Sequence, residues 1–126
     1  MRHVIATVLL AGLVCGCATT IDPDRTSSTP RAYVIAEIQV TDPTGYQEYL
    51  AAISPIVERF GGTYLVRGGK TMPVEGLEPN GRIVVIAFPS FSAARAFEDA
   101  PESVAAGKIR HRTAKSRIFV VEGASP

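Results

Sequence analysis

Few side chains in this chain of 126 residues have the type and setting to do chemistry, and an isolated carboxylate is the first of them. Glu37 lies with Tyr33, Ile35 and Gln39 on the mixed face of the mainly apolar stretch Ala32–Val40. A carboxylate in such a setting can act as a general base, and Glu37 is therefore a candidate catalytic residue. The alternative, which we favour, is an ion pair across a dimer, with Arg67 as the natural partner.

A second candidate site is an arginine followed by two glycines, Arg67-Gly68-Gly69. Successive backbone amides can form an anion-binding concavity beside a guanidinium group. The commoner use of a glycine pair is simply to let the chain turn. We take Arg67, Gly68 and Gly69 as candidate ligand-binding residues for a small anionic ligand.

A basic run near the C-terminus is the third candidate, and it comprises Lys108, Arg110, His111, Arg112, Lys115 and Arg117. Such a run can bind a carboxylate or phosphate group, or rest against anionic lipid. It can also be a solvated face, because the last turn of a helix favours cations. Arg110 is a candidate ligand-binding residue, and His111 is a candidate acid–base group.

Several function classes are not predicted by this sequence. The basic run has no interleaved aromatic residues for base stacking, and the net charge is only +1, so nucleic-acid binding is not expected. Metal-ligand spacing, phosphate-binding loops and the Gly-x-Ser-x-Gly elbow are absent from the sequence. We therefore expect neither a metal nor a cofactor.

The N-terminus carries a targeting pattern. Residues 4–14 form an apolar run of signal-peptide length, too short to span a bilayer. Its end resembles a bacterial lipoprotein signal, in which an aliphatic residue and then a small residue precede the lipidated cysteine. Val14 and Gly16 fit those places before Cys17. We predict a signal peptide at residues 1–16 and lipidation of Cys17, with an ordinary secretory signal or a short uncleaved anchor as the alternatives.

The segment after the predicted signal is polar and turn-forming, and we interpret residues 17–31 as a flexible tether. Ala18, rather than an acidic residue, follows Cys17, which resembles the sorting pattern of outer-membrane lipoproteins. The expected location is the cell envelope of a Gram-negative bacterium, in the outer membrane and facing the periplasm. Acylation of Cys17 and loss of Cys15 with the signal would leave no free thiol.

The remaining residues, 32–123, have the hydrophobic patterns of one domain, followed by a tail at 124–126. Alternating and apolar runs predict strands at Ala32–Val40, Thr63–Arg67, Arg82–Phe88 and Arg117–Glu122. Helical spacing predicts one helix after Asp42-Pro43 and a second helical region, broken at Pro101, after Ser90. The order strand, helix, strand, strand, helix, strand is that of the α+β, ferredoxin-like βαββαβ fold, with an antiparallel four-stranded sheet.

The inward faces of the helices follow from the same spacing. The first helix has an apolar stripe of Tyr46, Tyr49, Leu50, Ile53, Ile56, Val57 and Phe60. In the second region, Phe91, Ala94 and Phe97 share one face, and Val104, Ala105 and Ile109 are expected to point inward after Pro101.

One face of the predicted sheet has no cover within the chain. Two helices can cover one face of a four-stranded sheet, yet the strand Arg82–Phe88 is apolar on both faces. The simplest cover is a second copy, which makes a homodimer with a barrel between the two sheets. A lone chain with an unusually apolar sheet is the alternative.

An ordered set of short motifs resembles the family known as the domain of unknown function 1330. The motifs are Ala32-Tyr33-Val34-Ile35, Val40-Thr41-Asp42-Pro43, Tyr46 with Tyr49, Gly61-Gly62, Leu65-Val66-Arg67-Gly68-Gly69, Phe88-Pro89-Ser90, Ala94 with Phe97, and Val121-Glu122-Gly123. The resemblance implies a dimeric α/β barrel, in a superfamily that includes cofactor-free monooxygenases, small isomerases and ligand-binding modules. The chain departs from the family at Ala87, where members carry an acidic residue, and at Ser103, where they often carry an aromatic one.

We favour the hypothesis of a lipid-anchored, homodimeric envelope module that binds a small ligand or a partner without catalysis. The alternative is a cofactor-free monooxygenase-like or isomerase-like enzyme that uses a cavity with Glu37 and Arg67, and His111 beside them. A purely structural envelope lipoprotein with no ligand is the third hypothesis.

Overall fold

A computed structural model describes residues 29–125 of the chain. These residues form β1 (Ala32–Val40), α1 (Pro43–Arg59), β2 (Thr63–Arg67), β3 (Arg82–Phe88), α2 (Phe91–Asp99), α3 (Pro101–Thr113) and β4 (Ala114–Glu122). The predicted signal peptide at 1–16, the lipidation at Cys17 and most of the predicted tether at 17–31 lie outside the described residues. Within the described residues, no helix is both long and apolar enough to cross a membrane.

The four strands make one antiparallel sheet in the order β2-β3-β1-β4. The predicted α+β, ferredoxin-like arrangement is therefore confirmed. The two most apolar strands, β1 and β3, lie at the centre, where Ala36 pairs with Val84 on one side and with Ile118 on the other. β4 begins at Ala114 rather than at the predicted Arg117.

The first helix forms as its sequence predicts. The Asp42 side chain accepts a hydrogen bond from the Gly45 amide at 3.1 Å, and Pro43 occupies the first turn, where its missing N–H is not needed. The predicted apolar stripe faces the sheet, with Tyr46 and Val57 among its most buried members. The helix ends before Gly61, which has a φ of 78°.

The second helical region divides into α2 and α3 at Ala100-Pro101, where the prediction had a break at Pro101. Residues 29–125 therefore contain three helices where two helical regions were predicted. Ser90 caps α2 by accepting from the Ala93 amide at 3.1 Å. The inward face of α3 agrees with the prediction at Ile109, which packs against the core, and differs at Val104, which is 52% exposed, and at the exposed Ala105. The face that is buried instead carries small residues, Ser103, Ala106, Gly107 and Thr113. These small side chains let α3 pack closely against α1. Hydrophobic periodicity alone does not predict that this face is the buried one.

The two faces of the sheet have different surroundings. Val34, Ala36 and Ile38 of β1 point toward the helices and are buried in the core. The opposite face has no cover within the described residues, and it leaves Phe119 40% exposed and Val121 42% exposed. The helices cover one face, as predicted, and the other face remains open to solvent.

Candidate functional site

A cavity of about 220 Å³ lies between the helix-covered face of the sheet and the helices. The floor is apolar and is made by Val34, Ala36, Ile38, Val84, Ile86 and Ile118. Such a floor with a few polar groups around it is typical of a small-molecule site.

Small residues on α3 leave the space open. Ser103 and Gly107 are one turn apart on this helix, and both line the cavity.

Three arginines from three different elements line the cavity, and each lies against a tyrosine ring. Their guanidinium carbons are 4.3 Å from the ring centre for Arg67 over Tyr64, 5.7 Å for Arg82 over Tyr46 and 5.3 Å for Arg110 over Tyr49. Cation–π contact of this kind positions a guanidinium group without neutralising its charge.

Hydrogen bonds fix two of the three guanidinium groups. Arg110 donates to the Tyr49 hydroxyl at 3.2 Å and to the Ser116 hydroxyl at 3.1 Å. Arg67 donates to the Ser54 hydroxyl at 2.8 Å. These neutral partners leave the positive charge available to an anion.

Arg82 is held less completely. Its Nη2 donates to the Arg67 carbonyl at 3.4 Å, whereas its Nε is buried with no hydrogen-bond partner among residues 29–125. The Ser103 hydroxyl is also buried with no hydrogen-bond partner among the described residues, and Ser103 as a whole is 7% exposed. Buried polar atoms without partners are rare in folded proteins, so both atoms call for an explanation.

A β-bulge brings Arg67 into the cavity. In a regular strand Tyr64 and Arg67 would point to opposite faces, because they are three residues apart. The extra residue Leu65 shifts the register, so that Tyr64 pairs with Ile86 and Arg67 pairs with Val84. Both side chains therefore lie on the helix-covered face.

The glycines that follow Arg67 do not line the cavity. The Gly68 amide donates to the Ile83 carbonyl at 2.7 Å, so it is not available to an anion. Its φ of 74° belongs to the left-handed region that glycine tolerates. Gly69 is exposed and lies outside the cavity lining.

The cavity has a net positive charge. None of its three arginines is in an ion pair with a carboxylate of residues 29–125, where the ion pairs are Arg59–Glu102 and Arg95–Asp99. Glu98 is the acidic residue of the lining. Burial raises the pKa of its carboxyl above the ordinary value, and the nearby Arg110 opposes this shift only in part.

Two tyrosines of α1 stay neutral at physiological pH. Tyr46 and Tyr49 pack with their ring centres 5.3 Å apart. Burial raises the pKa of both phenols, and the arginine beside each ring opposes that shift. Both rings can contact the body of a ligand, and the neutral hydroxyls can donate hydrogen bonds.

The structure brings some of the sequence-predicted site residues together and separates others. Arg67, Arg110 and His111 line the cavity, and the His111 ring nitrogen is 3.4 Å from an Arg110 guanidinium nitrogen. Glu37 lies on the opposite face of the sheet, where it pairs in register with Ile83 and Arg117. Glu37 and Arg67 therefore do not share a cavity within one chain. Ala87 also lies on that opposite face, beside Tyr33.

Arg82 and Glu98 line the cavity but were not recognised in the sequence. Arg82 had a detectable signal, since alternation places it on the same face of its strand as Val84, Ile86 and Phe88. Glu98 follows Phe97 directly, and no sequence pattern distinguishes it from a solvated helix residue. Among the described residues, no group of three or more His, Cys, Asp and Glu side chains could hold a metal ion.

Comparison with known proteins gives a family and a fold. The model of a family described as a domain of unknown function, DUF1330, matches residues 31–124. No curated protein matches the chain.

Three solved structures are similar to the chain. A protein of unknown function from Rhodopseudomonas palustris has a TM-score of 0.61 and 20% identity, covering 77% of this chain and 85% of that chain. A dimeric ferredoxin-like protein of unknown function from Thermobifida fusca has a TM-score of 0.53 and 18% identity, covering 75% and 92%. A cofactor-independent oxygenase from Streptomyces nogalater has a TM-score of 0.52 and 13% identity, covering 78% and 97%. At these identities the similarity shows the fold alone.

Proposed function

The chain belongs to the DUF1330 family of domains of unknown function. We propose that it binds a small anionic ligand without catalysing a reaction. We propose further that it acts as a homodimer and is anchored by lipid in the cell envelope. The observation that carries the binding function is the cavity, where three arginines with no carboxylate partner among residues 29–125 surround an apolar floor.

The chemistry of the cavity supports an anion with an apolar body. An unneutralised guanidinium next to apolar surface attracts a carboxylate or phosphate more strongly than a fully hydrated one does. The aliphatic floor and the rings of Tyr46 and Tyr49 offer burial to the rest of such a ligand. A purely polar anion would leave this apolar surface without a partner.

The enzyme alternative has less support. It required Glu37 and Arg67 in one cavity, and the sheet separates them. The oxygenase from Streptomyces nogalater shares the fold, but such a likeness does not supply a base or a substrate. We therefore do not carry a reaction over to this chain.

The uncovered face of the sheet supports the homodimer. Ile35, Val85, Phe119 and Val121 share this face, which alternation places opposite the helices. An exposed apolar sheet face of this kind marks an interaction surface. A solved structure with the same fold is described as dimeric, and the simplest occupant of the face is a second copy.

The lipid anchor and the envelope location rest on the sequence pattern that ends at Cys17. The polar residues up to Arg31 would then join the acylated cysteine to the domain, so that the cavity faces the periplasm. More than one acyl chain gives stable attachment, since each buried methylene contributes about 0.8 kcal/mol.

Binding is tested on the purified full-length chain by thermal shift and titration calorimetry. Cinnamate and phenylacetate are the anionic probes, and their amides are the neutral controls of the same shape. We expect both acids to stabilise the protein and the amides to bind at least tenfold more weakly. Equal binding of the acids and amides, or no binding of either acid at millimolar concentration, would contradict the proposed function.

A further inference from the structure

The longest connection within residues 29–125, the segment 69–80 between β2 and β3, exposes three large apolar side chains. Met72 is 80% exposed, Val74 is 89% exposed and Leu77 is 97% exposed. We propose that this segment, the connecting arm, docks on a second copy of the chain, over the start of the partner's β4. The inference rests on the proposed homodimer and adds the contact that sets the orientation of its two copies.

The connecting arm has little cover from its own domain. Residues 69–78 are all exposed, and an added Cβ at Gly69 or Gly76 would have nothing within 4 Å. The chain packs tightly again at Gly81, where a Cβ would collide with the Ile38 carbonyl. Large apolar residues clustered in one exposed segment are typical of an interaction surface, because burying them on a partner removes apolar area from water.

The connecting arm is continuous with the uncovered face of the sheet. Val66 of β2 pairs in register with Val85, so both side chains lie on that face, and the arm begins three residues after Val66. A segment of this length can extend and return over about 20 Å, whereas packed sheets lie about 10 Å apart. The arm can therefore reach a copy that covers the face.

Unpaired charges of opposite sign lie on the connecting arm and on β4. The arm carries Glu75 and Glu78, and the start of β4 carries Lys115 and Arg117, all exposed. Within residues 29–125 none of these four side chains is in an ion pair. Complementary charges across an interface steer association and fix its register.

The two charged groups lie at the same end of the sheet but at opposite edges. Lys115 pairs with Gln39 and Arg117 pairs with Glu37, on the uncovered face. Glu37 also pairs with Ile83, the second residue of β3, next to the end of the arm. Because the strand order is β2-β3-β1-β4, two strands separate the arm from Lys115 and Arg117 in one chain.

One two-fold arrangement brings these charges together. Rotation about an axis that runs along the strands, between two facing sheets, exchanges the edges and keeps the ends level. The β2 edge of each copy then faces the β4 edge of the other, and each arm meets the partner's Lys115 and the partner's Arg117. An axis across the strands would instead set β2 against β2, with the arms far from these cations.

Charge reversal on the full-length chain tests this docking. We expect Glu75→Lys with Glu78→Lys, and separately Lys115→Glu with Arg117→Glu, to weaken self-association at least tenfold, because like charges then face each other. An equimolar mixture of the two double variants should regain the wild-type dissociation constant as a heterodimer, in which opposite charges face each other in both contacts. Sedimentation equilibrium in density-matched detergent measures the constants, and a different tag on each variant identifies the heterodimer.

Two further variants separate net charge from the apolar contact. Glu48→Lys with Glu58→Lys makes the same change of net charge at exposed positions of α1, and it should leave self-association unchanged. Leu77→Ser removes the most exposed of the three apolar side chains of the arm. This variant should weaken self-association at least fivefold, with an unchanged circular dichroism spectrum.

The outcomes distinguish this inference from the homodimer on which it rests. Self-association at wild-type strength in both charge variants, or in Leu77→Ser, would overturn the docking of the arm and leave the homodimer standing. Weakened variants whose mixture forms no heterodimer would also overturn it, because an arm that contacts its own chain is not rescued by a second one. A wild-type chain that stays monomeric at high micromolar concentration would overturn both.

Discussion

The guanidinium group of Arg82 lies against Gly68, so closely that a Cβ atom at position 68 would be 3.0 Å from Arg82 Nη2. The glycine also has a φ of 74°, which disfavours any side chain. Gly68 therefore ends β2 and leaves room for the arginine of the neighbouring strand. Gly68 contributes to the cavity because it leaves room for the Arg82 guanidinium. It does not supply the anion-binding amide that its position after Arg67 suggested.

Replacing Gly68 by alanine should affect both stability and binding. The positive φ alone costs about 1–2 kcal/mol for a residue with a Cβ, and the contact with Arg82 displaces the guanidinium. We expect a lower melting temperature and at least fivefold weaker binding of cinnamate, measured by calorimetry. Gly76→Ala is the matched control, because Gly76 has a φ of 78° but nothing within 4 Å of an added Cβ. It should lose stability and keep its affinity, and equal losses of affinity in both variants would contradict this role of Gly68.

An aspartate on the uncovered face should dissociate the proposed dimer. Phe119→Asp places a charge in an apolar interface, and we expect at least hundredfold weaker self-association, because a buried unpaired charge is strongly unfavourable. Sedimentation equilibrium of the full-length chain in density-matched detergent measures this change. Phe91→Asp is the control, since Phe91 has nearly the same exposure, 41% against 40%, but lies at the start of a helix on the other side. A wild-type chain that is monomeric at high micromolar concentration would refute the dimer.

Removing the carboxylate of Glu98 should stabilise the protein above about pH 4.5. Burial raises the pKa of the Glu98 carboxyl in the folded state. Arg110 opposes this shift, and the Asp99 charge adds to it. The Glu98 charge also acts on the Tyr49 phenol, whose pKa it raises. Below the unfolded-state pKa both states are protonated, so Glu98→Gln and the wild type should be equally stable. As the pH rises, the unfolded chain loses its proton first, and the wild type loses stability relative to the variant.

The expected gain for Glu98→Gln at pH 8 is on the order of 1 kcal/mol, or about 4–8 °C in melting temperature for a domain of this size. Thermal melts from pH 4 to pH 8 measure the difference. Glu48→Gln, which removes an exposed carboxylate of α1, is the matched control. A constant difference between Glu98→Gln and wild type across this range would contradict the burial argument.

The lipid anchor predicts different behaviour for two neighbouring cysteines. In a Gram-negative host, Cys17→Ala should abolish incorporation of labelled palmitate and remove the chain from the outer-membrane fraction of a density gradient. Cys15→Ala should leave both unchanged, because Cys15 is lost with the predicted signal. Labelling that depends on Cys15, or persists in Cys17→Ala, would rule out the proposed site.

Local chemistry made much of the fold predictable from sequence. Asp42 and Ser90 are short polar residues placed directly before helical patterns, and both cap their helices as expected. The interior face of α3 was predicted in part, because Ile109 packs against the core as expected whereas Val104 is half exposed. The packing of α3 against α1 instead selects the small ones, and such a choice between faces depends on contacts distant in sequence.

The site was harder to predict than the fold. Arg67 and Arg110 were recognised by charge and by their neighbours, and both line the cavity. Arg82 was treated as an ordinary strand residue, although alternation puts it on the covered face. The sequence suggested Arg67 as the partner of Glu37. An extra residue in β2 changes the face of the sheet that Arg67 occupies, and simple alternation of side chains does not reveal this change.

The bulge at Leu65 makes the charge of the cavity depend on the pairing register of β2 as well as on residue type. If all five residues of β2 paired regularly, Arg67 would lie opposite Ile83 and its guanidinium would turn toward the uncovered face. One positive charge would then leave the pocket for the surface proposed to meet the second copy, while every amino acid stayed the same. A comparison of residue types alone would not reveal such a change in the anions that the cavity accepts.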